Sequence, residues 1–147
     1  MKIKIINGPN MNMLGKRPAA IYGSETLAEI NEYIEKKAAG LGCEVSFFQS
    51  NSEGEIVGAL QSALDGDYGA VLLNAAAYTH YSVAIRDAVE ILSGAGLDVY
   101  EVHLSDPDMR ESFRHVSVIR DVCRACVKGL GKDSYVEAIR LAVSDRK

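Results

Sequence analysis

The sequence lacks any apolar stretch approaching the ~20 residues needed to span a bilayer, which sets aside a membrane-embedded protein. Its first residues, Met1 to Ile6, hold only a short apolar tract that runs into Asn7-Gly8-Pro9. The longer apolar core and small-residue cleavage site of a secretory signal are missing. Cysteine is scarce: Cys43, Cys123 and Cys126 are odd in number and too few for a disulfide framework. A reduced, cytoplasmic protein is expected. A basic excess is also absent, since 16 Lys and Arg against 20 Asp and Glu give a net charge of −4 and a pI near 5.4. That balance is wrong for electrostatic capture of nucleic acid. The 147 residues, 48% apolar and 24% charged, contain no internal repeat, low-complexity segment or linker. One globular domain over residues 1–147 is expected.

What the sequence does contain is alternation. Residues 2–6, 43–49, 70–73, 98–104 and 122–127 are short, β-prone runs, and Ala70-Val71-Leu72-Leu73 is apolar throughout, as in a strand buried on both faces. Between them lie apolar stripes at helical spacing. The first is Leu27, Ile30, Tyr33, Ile34 and Ala38, with Ser24 as its expected cap and Gly40 or Gly42 as its stop. The others are Ile56, Val57, Leu60 and Leu64; Val83, Ile85, Ala88, Val89 and Leu92; and Tyr135, Ala138, Ile139 and Ala142. Strands alternating with helices predict a flavodoxin-like, doubly wound α/β domain: a five-stranded parallel sheet with helices on both faces. Lys2 and Lys4 fit a central strand poorly. Either their stems run along the apolar face toward water or that face lies partly open.

In an open parallel sheet, ligands bind beyond the carboxyl ends of the strands. After the first run comes a connection of about 17 residues where ~2–6 is usual, the length of a lid or binding element. It carries Arg17 five residues before Tyr22. A phenol is a poor base at neutral pH, and close positive charge favours its ionised form; a tyrosine before a glycine also commonly just packs. Glu101-Val102-His103 ends the fourth run, and alternate residues of a strand share a face. Glu101 can thus take a proton from one nitrogen of His103 and leave the other for acid–base chemistry. The competing reading is a buried histidine satisfied by a structural carboxylate. Asn74 ends the third run and also suits a turn. His80 either reads a hydroxyl or caps the following helix. Ser105 offers a hydroxyl and an N–H to a carboxylate. Arg110 and Arg114, four apart, share a face if their segment is helical and suit an anionic substrate. Cys123-Arg124-Ala125-Cys126 has no second pair to complete a zinc site, and its sulfurs would point to opposite faces of a strand; core cysteines are expected.

Read together, these segments resemble the type II 3-dehydroquinate dehydratases over nearly the whole chain. The resemblance is carried by Asn7-Gly8-Pro9-Asn10, Ile21-Tyr22-Gly23, Phe48 to Gly54, Asn74, Tyr78-Thr79-His80, Arg86-Asp87-Ala88, Glu101 to Ser105, Arg110-Glu111, Phe113-Arg114-His115 and Gly129-Leu130-Gly131. It implies dehydration of 3-dehydroquinate to 3-dehydroshikimate by anti elimination, with no metal and no cofactor. On that resemblance Tyr22 is the base, with Arg17 and Arg110 favouring its phenolate. Asn10 steadies the enolate through a water, and His103, oriented by Glu101, is the general acid. Asn74, His80, Leu104, Ser105 and Arg114 match substrate-holding positions. Asp87 matches a residue that reaches a neighbouring subunit's site, and the implied assembly is a dodecamer built as a tetramer of trimers.

The chain departs from the family pattern at Pro18-Ala19-Ala20, where an acid is lost and a proline moved, and at Ala76, usually glycine. Tyr81 adds a ring beside His80, Asp106 replaces an asparagine, and Val116 and Val118 replace a histidine and an aromatic. These departures motivate a competing reading: a non-catalytic paralogue that binds a cyclic polyhydroxy acid or serves as a structural oligomer. A nucleotide-binding module is disfavoured, because no Gly-rich phosphate loop follows the first strand.

Overall fold

A computed structural model describes residues 1–147. Five strands, β1 (Lys2–Asn7), β2 (Glu44–Gln49), β3 (Ala70–Asn74), β4 (Val99–His103) and β5 (Ala125–Lys128), form one sheet in the order β2-β1-β3-β4-β5. Every pairing is parallel. Helices α2 (Leu27–Gly40) and α5 (Asp133–Asp145) cover one face, where Ile30, Ile34, Tyr135 and Ile139 pack with Ile3, Ile5, Leu72 and Val102. Helices α3 (Glu53–Ala63) and α4 (Val83–Gly94) cover the other, where Ile56, Leu60, Ile85 and Val89 pack with Ile6, Val71, Leu73 and Val99. The alternation of β1 between Ile3/Ile5 and Ile6 feeds both cores, so the sheet is buried on both sides as the apolar runs require. The sequence-based fold is therefore the observed one. No helix is long and apolar enough to cross a membrane.

Lys2 and Lys4 are accommodated at the edge of the α3 side. Lys4 Nζ donates to the Ala59 carbonyl and to Ser62 Oγ, both at 2.7 Å, and Lys2 pairs with Asp67 at 3.1 Å. Their ammonium groups lie over the Tyr68 ring, that of Lys2 5.0 Å and that of Lys4 5.8 Å from its centroid.

Two local expectations need correction. Thr26, not Ser24, caps α2: its hydroxyl accepts from Glu29 N at 3.2 Å and donates back to Glu29 Oε1 at 3.2 Å, a reciprocal arrangement that Ser24 is too far upstream to make. The fifth strand begins at Ala125 rather than 122, because residues Arg120–Val122 form a 3-10 turn first. The long first connection carries local structure of its own. It contains a 3-10 turn at Met11–Met13 and a short helix, α1 (Ala19–Tyr22).

Candidate active site

The carboxyl ends of β1, β3 and β4 open onto one small cavity of about 60 Å³. Ten of the sequence-predicted site residues line it: Asn10, Arg17 and Tyr22 from the β1–α2 connection; Asn74 and His80 from the end of β3 and the turn after it; and His103, Leu104, Ser105, Arg110 and Arg114 from β4 and beyond. Two do not. Glu101 lies beneath His103 and is wholly buried, and Asp87 sits on the exposed side of α4.

The connection reaches the cavity because its first turn is tied down. Gly8 N donates to the Asn74 carbonyl at 2.8 Å, and a Cβ on Gly8 would come within 2.6 Å of the Ala75 oxygen, so only glycine permits the approach. Asn10 follows with φ 68°, a left-handed conformation that asparagine tolerates. Its N–H donates to Asn51 Oδ1 at 3.0 Å. Farther along, Arg17 Nη2 donates to the Tyr22 hydroxyl at 2.6 Å. The same guanidinium carbon lies 3.6 Å from the Tyr22 ring centroid, and that of Arg110 lies at 5.1 Å. Two positive charges therefore bear on one phenol.

On the opposite wall, His103 Nε2 stands 3.3 Å from Glu101 Oε2, but that nitrogen is buried without a hydrogen bond. Glu101 is instead saturated by other donors: Ser117 Oγ at 2.5 Å on Oε1, and Arg120 Nε at 2.8 Å and Cys126 Sγ at 2.9 Å on Oε2. Burial pushes the Glu101 carboxyl up, but the proximity of His103 and the donors Cys126 and Ser117 outweigh it and hold the group at about 2. With Nε2 facing the carboxylate, Nδ1 is the His103 nitrogen left for the cavity.

Asn74 serves both readings of its sequence. Its Oδ1 accepts from Ala76 N at 3.1 Å, a turn, while Nδ2 donates to the Tyr135 hydroxyl at 3.0 Å. The Tyr135 hydroxyl in turn donates to Asn7 Oδ1 at 2.5 Å. His80 does not cap α4, as Ser82 does so by accepting from Ile85 N. His80 Nδ1 pairs with the Val116 carbonyl at 2.7 Å, which fixes Nδ1 as the protonated nitrogen and frees Nε2 as an acceptor. Arg110 and Arg114 share no helix. A 3-10 turn at Pro107–Met109 and another at Ser112–Arg114 carry them into the cavity. Arg114 Nε donates to Glu111 at 3.1 Å, and Arg110 Nε, buried and without a hydrogen bond, makes a looser ion pair with the same carboxylate at 3.9 Å.

Most of the departures in sequence lie outside the reacting space. Tyr81 points outward, 62% exposed and edge-on to Tyr78. Asp106 is paired with Lys128 at 3.0 Å and does not line the cavity. Val116 and Val118 contribute their backbones, to His80 and to Thr79 and Arg86. Ala76 is the exception: it lines the cavity with φ 52°, a conformation that burdens a residue with a Cβ.

Of the cysteines, Cys43 is buried, while Cys123 and Cys126, expected in the core, are only half-buried, because they flank the start of the short edge strand β5. Glu101, His103 and Cys126 hold ligand-type atoms within 4.8 Å of one another, a donor set of the zinc kind. Yet the Arg120 guanidinium already occupies Glu101 Oε2, and burial pushes the Cys126 thiol up to about 12, reinforced by Glu101. Positive charge at the oxygen and a reluctant thiol favour a network of protons over a cation. Arg120, Ser117 and Tyr135 were not legible as site residues, because each reaches its partner from 16 or more positions away.

The chain matches the family model for dehydroquinase class II over residues 1–143. It is 46% identical over 140 residues to a 3-dehydroquinate dehydratase of Clostridium beijerinckii, spanning 95% of this chain and 94% of that one. It is 50% identical over 139 residues to one of Prochlorococcus marinus, spanning 95% and 91%. Among solved structures, the type II dehydroquinase of Butyrivibrio crossotus superposes with a TM-score of 0.92 at 41% identity, covering 97% of each chain.

Proposed function

Because this chain belongs to the class II dehydroquinase family, we propose that its cavity dehydrates 3-dehydroquinate to 3-dehydroshikimate by anti elimination through an enolate. The protein is a 3-dehydroquinate dehydratase, a carbon–oxygen hydro-lyase. The observation that carries the mechanistic reading is that Tyr22, its hydroxyl held by Arg17, and His103, backed by Glu101, line one cavity.

Tyr22, ionised under the positive charge of Arg17 and Arg110, removes a proton from the carbon beside the ketone. Negative charge then builds on the ketone oxygen, where Asn10 steadies it through a water. His103 Nδ1 protonates the leaving hydroxyl, and Glu101 holds the ring in place as it does so. Base, charge stabilisation and acid are the three parts an elimination through an enolate needs. Arg114 and Ser105 receive the carboxylate, and the Arg110 guanidinium, which also lines the cavity, adds positive charge. His80 Nε2 accepts from a ring hydroxyl, while Asn74 and Leu104 shape the wall.

The assembly belongs to the same proposal: a dodecamer of four trimers, with Asp87 completing a neighbour's site. Two features support it. Asp87 is remote from its own cavity, and it lies between Val83 and Ile91, exposed by 58% and 52%, on one stripe of α4.

The direct test is to mix the purified protein with 3-dehydroquinate and follow the ultraviolet absorbance of the conjugated product. A steady rise dependent on protein concentration is expected. A folded protein that binds the substrate without any rise would instead be a binding paralogue.

A further inference from the structure

Glu101 has no exposed surface, so its charge must be balanced from within. A bare carboxylate 3.3 Å from the His103 ring would favour the imidazolium and hold the proton that the acid has to give up. The Arg120 guanidinium stands on the same oxygen, Oε2, at 2.8 Å. It arrives from the 3-10 turn that follows Ser117, and its own N–H donates to Ser117 Oγ at 3.2 Å, so one short segment delivers both the neutral and the charged donor to Glu101.

We propose that Arg120 is a positioning residue for the general acid: it clamps Glu101 behind His103 and cancels its charge, so that the carboxylate orients the imidazole without retaining its proton. This rests on the assignment of His103 as the acid. Arg120 does not line the cavity and acts only through Glu101.

The other charged groups around His103 are already committed or shared by every variant below. On β5, Cys126 donates to Glu101, and Lys128, opposite His103 in register, is bound to Asp106 and Asp108. Across the cavity, Arg17 is held by the Tyr22 hydroxyl and Arg114 by Glu111. Arg110 and His80 complete the ring of titratable and charged neighbours. A shift on changing Arg120 therefore reports Arg120.

The test compares Arg120→Met, which removes the charge, with Arg120→Lys, which keeps it. In Arg120→Met the alkaline limb of the kcat profile should move up by about one pH unit or more, with kcat at neutral pH down about tenfold. KM should stay within about twofold, since no substrate contact is lost. Arg120→Lys should return the limb toward its original position. Proton NMR titration of the His103 ring reads the same displacement without turnover, so loss of the dehydratase reading and loss of this one are distinguishable. If Arg120→Met does not fold, Arg120→Gln, with a neutral N–H donor, takes its place. A limb and a ring titration that stay put in the folded, uncharged variant, or that move equally in Arg120→Lys, overturn the proposal.

Discussion

His103 and Tyr22 line the same cavity, yet one ends a strand of the sheet and the other ends a four-residue helix with no buried residue. All five residues of β4 are buried, and Glu101 within it is fixed by three donors. Tyr22 is half-buried; its ring packs at the margin of the core, and its hydroxyl is bound by Arg17, five residues away in its own loop. The side of the proposed acid is thus anchored by a strand of the sheet, whereas that of the proposed base stands on a long connection. Changes to the first should cost stability as well as activity, and changes to the second should cost activity alone.

The largest separation is expected from Tyr22→Phe. Removing the proposed base should lower kcat by roughly 10³-fold, with KM little changed and the urea midpoint unmoved. A loss of stability as large as that of a core variant would break the comparison. Glu101→Gln tests the other side. It leaves the half-exposed Arg120 and the donors Ser117 and Cys126 without a carboxylate and should cost about 1–2 kcal/mol in urea unfolding, along with activity. The same residue sets an acid dependence. Its carboxyl is held at about 2, below the ordinary 4.5. A depressed carboxylate contributes stability above its unfolded value and loses it as the pH falls. Unfolding measured between pH 4.5 and 2 should therefore steepen in the wild type and flatten in Glu101→Gln.

The smallest expected effect is at the seam between the two regions. Ala76 holds φ 52° at the turn after β3. Ala76→Gly should relieve that conformation and raise stability by about 1 kcal/mol, less what glycine loses to the unfolded chain. Calorimetry checks it; a fall in melting temperature would mean that the methyl packs usefully against the wall.

The same contrast explains what the sequence disclosed. Strand alternation, the apolar run at Ala70–Leu73 and the i, i+2 spacing of Glu101 and His103 are local signals, and each located its element. The fifth strand was misplaced because the 3-10 turn at Arg120–Val122 carries Val122 against the core as a strand would. Arg110 and Arg114 have helical spacing, but Pro107 and two 3-10 turns deliver them separately. Tyr22 and Arg17 could be singled out only weakly by composition, and the family resemblance gave them their roles. What sequence spacing cannot express is the convergence on Glu101 of Ser117, Arg120 and Cys126, brought there by β5 pairing with β4 and by the turn before it.

The proposed base is loop-borne and the proposed acid strand-borne, and isotope exchange separates the two. In deuterated water with 3-dehydroquinate, His103→Asn should exchange the substrate hydrogen beside the ketone, followed by NMR, while forming almost no 3-dehydroshikimate. Tyr22→Phe should do neither, although it still binds the substrate. Exchange that persists in Tyr22→Phe, or that vanishes in a His103→Asn protein with intact binding, would contradict the division.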